Sequence, residues 1–310
     1  MKHHLPIAIT FLVSFVVTFN AQAQTCSCAA VPLLGSMQPS SPNGGEWFLG
    51  TTYEYHDVSD LIAGSSSVPD TTGRDRTSSA LVVEASRGIT EKWSISFLAS
   101  AVEHTREVGG SGVSATGLGD GIVMAKYSPR RISLYSDSAL SLGVGARVPI
   151  GEDDTSLQGI ALAEDMQPST GAYGSIAWIY WARAMNDSGS ARIYATGNYT
   201  NNSDNDRHYQ FGHETVATFG GSYQAQSRWG FNLELSYRNA QRDERSSVEI
   251  PNTGGNWLDL NAGVQYRLTD ALGVSAGAKL PIRRDLNDEL QFTTKYTFRT
   301  SVSYVFGNRD

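Results

Sequence analysis

Apolar and polar residues alternate one by one over much of this chain, which is the two-residue period of a β-strand. In "FNLELSYR", Phe231 to Arg238, every second residue is apolar and the residues between them are polar. The same alternation returns in "WLDLNAGVQYR", "LGVSAGAKL" and "KYTFRTSVSYVF". The pattern predicts an all-β protein whose strands each have one apolar and one polar face.

Twelve segments of this kind are found, and each is near the ten residues that a tilted strand needs to cross a bilayer. The predicted strands are 46–56, 77–87, 93–104, 117–127, 138–148, 172–181, 191–200, 212–224, 229–239, 257–268, 272–281 and 294–306. Their connections alternate between short turns, such as "GITEK" and "TDA", and loops that are mostly long and polar. We therefore predict a transmembrane antiparallel up-and-down β-barrel of about 12 strands, with short periplasmic turns and long extracellular loops.

A soluble β-sandwich would also alternate apolar and polar residues, so a second pattern has to separate the two folds. Aromatic rings collect at both interfaces of a membrane, and a sheet inside hydrocarbon must close so that it has no unpaired edge. One set of aromatic residues is expected at the periplasmic rim: Trp47, Trp93, Tyr127, Trp181, Tyr223, Trp229, Tyr266 and Phe306. A second set is expected near the extracellular rim: Tyr53, Tyr55, Tyr199, Tyr237 and Trp257. These two belts favour the barrel.

The first residues predict export. Met1 to Ala23 has a short basic start, an apolar run and the small-x-small ending "AQA", the pattern of a cleaved signal peptide. No later apolar stretch approaches the length of a membrane helix. The predicted organisation is a signal peptide over 1–23, a periplasmic N-terminal extension or plug over 24–45, and an outer-membrane β-barrel over 46–310. The predicted location is the bacterial outer membrane.

Charge argues against a nucleic-acid partner. Cleavage removes one basic residue, Lys2, from 24, which leaves 23 basic against 31 acidic residues and a net charge of −8. A general nucleic-acid binder is expected to be basic. The partners we expect are instead outer-membrane lipids and lipopolysaccharide, a small-molecule solute, and a periplasmic protein reached through the N-terminal extension.

If the apolar faces meet lipid, the polar faces line a lumen, where charged side chains are tolerated when hydrated or paired. This set holds eight cationic and five acidic residues: Glu54, Glu84, Asp120, Lys126, Arg147, Arg192, Glu234, Arg238, Asp259, Arg267, Lys279, Lys295 and Arg299. One interpretation is a passage with a mild preference for anions. The other is a network of ion pairs that braces the barrel and conducts little. The sequence does not separate them.

Three motifs carry a family resemblance. "GLGDGIVMAKYS" (Gly117 to Ser128), "LGVGARVPIGEDD" and "VSAGAKLPIRRDLN" resemble the outer-membrane transporters grouped with the meta-pathway of phenol degradation. The resemblance implies a barrel that passes small, often aromatic or hydrophobic, compounds. Matched to those motifs, the positions carried over are Asp120, Lys126, Arg147, Pro149 and Gly151. An architectural role for them remains an alternative, because glycines permit a bend or close backbone approach and Pro149 can end a strand.

Two other kinds of site, a metal site and a hydrolytic site, are compatible with some of the residue types present. The acidic loop 151–165 offers oxygen ligands for Ca²⁺ or Mg²⁺, but its spacing does not match a calcium-binding loop, so we expect no metal site and no cofactor. A lipid hydrolase would need a serine and a histidine side by side. His56, His104, His208 and His213 lie near the extracellular rim, but no G-x-S-x-G element is present, so we expect no enzyme.

Cys26 and Cys28 are the only cysteines, in "QTCSCAAVPLL". Ala23, Gln24 and Thr25 before them do not form a lipobox, so we expect no lipid anchor. A disulfide between residues so close would be strained and reducible, while two thiolates alone would leave a metal site incomplete. We predict an unlipidated periplasmic thiol pair of unknown use.

These observations lead to one functional expectation, an outer-membrane channel for passive passage of small molecules. The expected solutes are aromatic or other hydrophobic compounds, or small anions. The alternative is a structural or interaction barrel with a closed lumen that serves a periplasmic partner.

Overall fold

Twelve long strands form the body of the molecule in this computed structural model, which describes residues 33–37, 41–132, 136–225 and 228–307. We number the strands in chain order. They are β1 (Trp47–Asp57), β2 (Arg74–Gly88), β3 (Trp93–Val108), β4 (Ser111–Arg130), β5 (Ser138–Pro149), β6 (Gly174–Ala184), β7 (Ala191–Asn202), β8 (Glu214–Gln224), β9 (Trp229–Ala240), β10 (Gly255–Arg267), β11 (Leu272–Leu286) and β12 (Tyr296–Phe306).

The strands close into one antiparallel barrel. Each pairs with the next along the chain, and β12 returns to pair with β1 from Trp47 opposite Phe306 to Asp57 opposite Tyr296. Closure satisfies the backbone N–H and C=O groups of every strand, as hydrocarbon requires. The predicted transmembrane up-and-down barrel of twelve strands is confirmed.

The two faces of the strands differ as the alternation predicted. On β9, Phe231, Leu233 and Leu235 point outward and are 50%, 57% and 44% exposed in the isolated chain. The residues between them, such as Asn232 and Glu234, face the lumen and are half-buried. The outward faces therefore form an apolar band of the kind that contacts lipid.

Connections also fall into two classes. Short connections lie at the rim where β1 begins and β12 ends, which makes this rim the periplasmic one: they are 89–92, 131–137, 185–190, 225–228 and 268–271. The extracellular rim carries loop 1 (58–73), the turn 109–110, loop 3 (150–173), loop 4 (203–213), loop 5 (241–254) and loop 6 (287–295).

One long loop expected from the sequence is absent. The stretch 105–116 instead continues β3 and β4 beyond the apolar band and reverses at Gly109 and Gly110, whose φ angles of +58° and +85° suit glycine. The alternation disappears there because outward residues such as Glu107 no longer face lipid. The pattern that identified the other strands could not identify this extension.

The smaller elements belong to the loops and the N-terminal segment. They are one helical turn (Leu33–Ser36), a 3₁₀ turn (Glu164–Met166) and short strands at Asp60–Ala63, Ser66–Ser67, Ser156–Leu157, Ile160–Ala161, Tyr209–Gln210, Glu244–Arg245, Val248–Glu249 and Gln291–Thr293. Loop 6 pairs with loop 1 through Phe292 opposite Leu61, and loop 4 pairs with loop 5 through Tyr209 opposite Arg245. The loops thus pack on one another over the extracellular mouth. Among the residues described, no helix has both the length and the apolar content to cross a membrane.

Aromatic pairs mark the periplasmic rim. Trp93 packs against Tyr127 with ring centroids 4.9 Å apart, and Trp229 packs against Tyr266 at 4.7 Å. Trp257 differs from its expected place in the extracellular belt, because its ring turns inward and is only 4% exposed. There its indole N–H donates to the Thr293 hydroxyl at 3.0 Å, a partner that the lipid face would not supply.

Candidate functional site

The inward charged residues predicted from the sequence meet as ion pairs on neighbouring strands. Arg299 Nε lies 2.8 Å from Glu54 Oε1, and Lys279 Nζ lies 3.7 Å from Asp259 Oδ2. Arg147 Nε lies 3.9 Å from Asp120 Oδ2. Two of these pairs join consecutive strands, whereas the pair between Arg299 and Glu54 joins the last strand to the first and depends on closure of the barrel.

Other members of that set have partners of different kinds. Lys126 is 1% exposed, lies 5.1 Å from the centre of the Trp178 ring and interacts electrostatically with Glu84. The Tyr194 hydroxyl donates to Glu234 at 2.5 Å. Many charged side chains in the lumen therefore contact a neighbouring side chain directly, and they do not form a ring of unpaired charges of one sign.

Arg238 pairs with an acid that was not in the predicted set. Its Nε lies 2.5 Å from Glu214 Oε2, and its guanidinium covers the Trp257 ring at 4.5 Å. Glu214 begins β8 on the inward side, so strand parity alone could have identified it. The predicted strand 212–224 contains this residue, but the predicted lumen set does not.

Three cationic members of the set lie at the mouths. Arg192 and Arg267 are exposed near the periplasmic ends of β7 and β10. Lys295 lies in the bend before β12 and is exposed at the extracellular rim, so it is not on the inward face of a strand. The excess of cationic over acidic residues in the sequence set is therefore concentrated outside the middle of the barrel.

One side of the lumen is apolar. We call this side the apolar wall; it consists of inward residues of β2, β3, β4 and β6: Ala80, Val82, Leu98, Val102, Ile122, Met124, Ile176 and Trp178. Leu98 and Met124 are 0% exposed. Inward apolar residues on several adjacent strands are unusual for a water-filled lumen, which is polar.

The N-terminal segment covers this wall. Met37 is 5% exposed and belongs to the same apolar cluster, and Leu34 packs against it. The carbonyl oxygen of Gly35 accepts a hydrogen bond from Arg299 at 3.0 Å, on the other side of the lumen. At the periplasmic mouth, Arg131 donates to the carbonyl oxygen of Pro42 at 3.0 Å. Residues 33–37 thus lie inside the barrel, between its two sides.

The opposite side is polar and contains cavities. We call the inward faces of β9 to β12 the polar wall; its residues include Asn232, Glu234, Asp259, Asn261, Ser275, Lys279, Arg299 and Ser301. A cavity of about 240 Å³ extends from the periplasmic turn at Thr269 to Ser275, and residues of β1 and β2, including Val82 and Glu84, also line it. A second cavity of about 120 Å³ extends from Ser275 to Lys279 and Thr297. Because Ser275 lines both cavities, they lie end to end along this wall.

The ion pairs of the polar wall expose their cationic partner. The side chain of Lys279 is 27% exposed against 13% for Asp259, and that of Arg299 is 39% exposed against 2% for Glu54. Lys279 and Arg299 both line the second cavity. A solute in that cavity would contact these two cations, because their acidic partners, Asp259 and Glu54, are less exposed.

Two hydroxyl–histidine pairs inside the barrel were not predicted. Ser78 Oγ lies 2.9 Å from His104 Nδ1, and Thr297 Oγ1 lies 3.0 Å from His56 Nδ1. Both pairs are buried, with His104 3% and Thr297 2% exposed, and they face the lumen rather than lipid. A hydrolase acting on membrane lipids needs its nucleophile within reach of the lipid, so neither pair suits that reaction.

The acidic residues of loop 3 are engaged by arginines. Glu164 accepts from Arg207 and Arg245, and Asp165 accepts from Arg106. The hydrogen bond from Arg207 to Glu164 raises the pKa of that arginine above its usual value. Within the described part of the chain, no group of three or more potential ligands is arranged to hold a metal ion.

Four of the motif positions carried over from the family resemblance lie near the extracellular end of the lumen, namely Asp120, Arg147, Pro149 and Gly151. The fifth, Lys126, lies toward the periplasmic rim, one residue before Tyr127. β5 ends at Pro149, opposite Asp120 of β4, and Gly151 follows. A Cβ atom at Gly151 would lie 1.6 Å from the carbonyl oxygen of Leu118, so only glycine fits. The register of β3 and β4 shifts beside Asp120, so the glycine motif sits at a bulge inside a longer strand rather than at a strand start. The predicted signal peptide and Cys26 and Cys28 lie outside the described residues.

Solved structures of outer-membrane proteins are similar to this chain. The solved structure of the COG4313 outer membrane channel from Pseudomonas putida F1 has a TM-score of 0.72 and 12% sequence identity, and the match covers 87% of this chain and 98% of that one. The KdgM porin (TM-score 0.46, 9% identity) and the NanC porin (0.47, 10%) each match over 83% of this chain and over 99% and 98% of their own. No curated protein sequence matches the chain.

The match to the COG4313 channel shows that this chain has the fold of an outer-membrane β-barrel. A family model also matches residues 63–284, which span the barrel from loop 1 to β11 and include all three motifs, at least in part. Since this is well over half of the chain, the chain belongs to the family described as "Putative MetA-pathway of phenol degradation".

Proposed function

We propose that this protein is a passive outer-membrane channel for small molecules, exported through a cleaved signal peptide and without enzymatic activity. The observation that carries the proposal is the pair of cavities that lie end to end along the polar wall and share Ser275. The likeness to an outer membrane channel supports it through the fold. Solute would follow this wall, between the periplasmic turn at Thr269 and the region of Lys279.

Two solute classes fit different parts of the interior. Small anions suit the polar wall, because Lys279 and Arg299 are the more exposed members of their ion pairs. Aromatic or other hydrophobic compounds suit the apolar wall, where Trp178 and Met124 would contact a ring. The family description, which names phenol degradation, supports the second class.

The N-terminal segment is proposed as a plug that narrows the passage. Met37 and Leu34 occupy the apolar wall, so a hydrophobic solute could bind there only after these side chains leave. A periplasmic partner of the segment, or the redox state of Cys26 and Cys28, would be suited to control that step. Outer-membrane lipids and lipopolysaccharide would surround the apolar band.

Single-channel recording of the purified protein in planar bilayers tests the channel. We expect steady conductance with a weak preference for anions in a salt gradient, and larger conductance in a Leu34→Ser, Met37→Ser variant that releases the plug. The matched control is Leu49→Ser with Leu233→Ser, since both side chains face outward and do not contact the plug. It should conduct like the unmodified protein.

The alternative is a closed structural or interaction barrel, which the ion pairs across neighbouring strands would also brace. Absence of conductance in the unmodified protein, in the plug-release variant and in a protein lacking 24–45 would favour that alternative. A clear preference for cations would contradict the assignment of anions to the polar wall. Uptake of aromatic acids and of alkanes by cells with and without the protein would then separate the two solute classes.

A further inference from the structure

The middle of loop 3 is buried although it connects two strands at the extracellular rim. From Met166 to Thr170 every residue is buried, with Gln167 1% and Ser169 2% exposed. Connecting loops usually run over the surface, because buried backbone needs partners. We call residues 164–172 the lid segment.

The lid segment reaches across the extracellular mouth. At one side, Asp165 accepts from Arg106 of β3 and lies 3.7 Å from Arg76 of β2. At the other side, Glu164 accepts from Arg207 of loop 4 at 2.5 Å and from Arg245 of loop 5 at 3.1 Å. Loop 5 follows β9, six strands from β3 and therefore half the circumference of a twelve-strand barrel away. The segment is held from opposite sides.

Asp120 holds the segment from below. Its carboxylate accepts from Ser169 Oγ at 2.6 Å, from the Thr170 backbone N–H at 3.1 Å and from Thr170 Oγ1 at 2.7 Å. The Asp120 side chain is 2% exposed. Hydrogen bonds to a charged acceptor are stronger than neutral ones, and three from one short segment fix both its height and its orientation.

The glycines before Asp120 make room for the same segment. A Cβ atom at Gly117 would lie 3.0 Å from Pro168 Cγ, and one at Gly119 would lie 2.3 Å from Ser100 Oγ and 3.4 Å from the Pro168 carbonyl oxygen. The glycine motif and the carboxylate thus act together: the former leaves a recess for Pro168 and the latter binds the next two residues.

The attachment is mainly polar. Met166 and Pro168 contribute apolar contact, but the links to the barrel wall and to the other loops are ion pairs and hydrogen bonds. Water can replace such bonds when a loop opens, whereas an extensive apolar interface would resist opening. This composition suits a closure that is released and re-formed.

From these contacts we propose that residues 164–172 form a lid over the extracellular mouth, and that Asp120 is the positioning residue that keeps the lid closed. The proposal rests on the proposed channel function, because it assigns the extracellular barrier of that channel. Solute passage would require the bonds between Asp120 and Ser169 and Thr170 to open.

A thiol probe measures the lid without relying on conductance. Met166→Cys, placed in a chain with Cys26→Ser and Cys28→Ser, introduces a thiol at a position that is 4% exposed and donates no side-chain hydrogen bond. In intact cells its reaction with a membrane-impermeant maleimide should be slow. Adding Asp120→Ala should accelerate the reaction about tenfold or more, because the three bonds that hold the segment are lost.

Two controls keep this measurement specific. Asp259→Ala removes another inward carboxylate, one paired with Lys279 and remote from loop 3, and should leave the maleimide rate unchanged. Ser169→Ala with Thr170→Val removes two of the bonds from the loop side, so it should reproduce part of the acceleration even if Asp120→Ala fails to fold. An equal rate with and without these changes would overturn the lid.

Conductance then separates failure of the lid from failure of the channel. If the maleimide rate rises and conductance rises with it, both proposals are supported. A faster maleimide reaction with no conductance in any variant, including the plug-release variant, would show that the segment opens. It would contradict the channel function and, with it, the role of the segment as a lid of that channel. Steady conductance with an unchanged maleimide rate would keep the channel and remove the lid.

Discussion

The apolar and polar walls lie in the same barrel and are both built from strands that alternate inward and outward residues across the membrane, yet they differ in what fills them. The apolar wall of β2 to β4 and β6 is packed against Leu34 and Met37 and has fully buried side chains such as Leu98. The polar wall of β9 to β12 keeps half-buried residues and lines two cavities, the larger of which reaches Val82 at the edge of the apolar wall. The difference teaches that a wide barrel need not have a uniform lumen: one side can be a core while the other stays hydrated.

Truncating a side chain should lower the free energy of unfolding more on the apolar wall than on the polar wall, because the apolar wall is tightly packed. Leu98→Ala should lower the free energy of unfolding by about 2–5 kcal/mol, because it removes a buried side chain and leaves a cavity. Ser301→Ala on the polar wall should cost about 1 kcal/mol, the value of its single hydrogen bond to Ser275. Urea unfolding in lipid vesicles measures both. Equal losses would mean that the two walls are not packed differently.

Removing the cation that joins the walls should have an intermediate effect. Arg299→Ala leaves Glu54, 1% exposed, without its guanidinium partner and also removes the bond to the Gly35 carbonyl. We expect a loss of about 1–3 kcal/mol in unfolding free energy, since the buried Glu54 carboxylate then keeps only its other contacts, such as His56 Nε2 at 3.2 Å from Oε2.

Lys279→Ala is the matched change, and it should cost less, because Asp259 is more exposed than Glu54. The same urea titration compares the two variants. A larger loss for Lys279→Ala would contradict the importance of burial in this comparison.

Ion selectivity should depend on the polar wall alone. Lys279→Gln should reduce the anion preference toward zero, because it neutralises the more exposed member of its pair. Asp259→Asn should change selectivity less, and Lys126→Gln on the apolar side should change it least, because Lys126 is buried. Reversal potentials across a salt gradient give the measurement. The opposite order would place the conducting path along the other wall.

Lowering the pH should produce the smallest effect, a local loss of stability in loops 5 and 6 at the extracellular rim above the polar wall. A hydrogen bond from Arg242, which joins loop 5 to loop 6, lowers the pKa of Asp288, and the Asn252 backbone N–H adds to the shift. A carboxyl whose folded pKa is lowered stabilises the fold above its unfolded pKa of about 4 and loses that contribution as pH falls through the folded value.

Hydrogen exchange of residues 286–292, corrected for intrinsic rates, should therefore be faster at about pH 3 than at about pH 6. Asp288→Asn is the control, and its exchange should lose this pH dependence. Exchange in the strands of the apolar wall should not change between the two pH values. Acid sensitivity that is equal in Asp288→Asn would assign the effect to another group.

Strand identity could be predicted closely because lipid imposes one rule on every outward residue. β5 and β9 differ from their predicted spans, 138–148 and 229–239, by a single residue. The extensions of β3 and β4 over residues 105–116 were not predicted, because outside the membrane no lipid contact requires apolar outward residues and the alternation is lost. Trp257 illustrates a second limit, since an aromatic residue at a strand end can serve the interfacial belt or turn inward to a partner on a distant loop.

The candidate site was predictable in part. Strand parity places Glu54 and Asp120 on the inward faces of their strands, but parity does not state which cation each will meet. Arg299 reaches Glu54 only because the last strand closes on the first, 245 residues along the chain. Asp120 binds loop 3 rather than lining an open lumen, and no local pattern in residues 164–172 indicates burial.

The sequence by itself determined the strands, because a period of two is a local property, and the aromatic belts with the two classes of connection determined that the strands form a membrane barrel. It also determined the number of strands and the two classes of connection. Only the tertiary structure decided that the lumen has an apolar and a polar side, that residues 33–37 lie against the former, and that loop 3 folds inward onto Asp120. Those outcomes depend on contacts between residues far apart in the chain, which exist only after closure brings the strands and loops together.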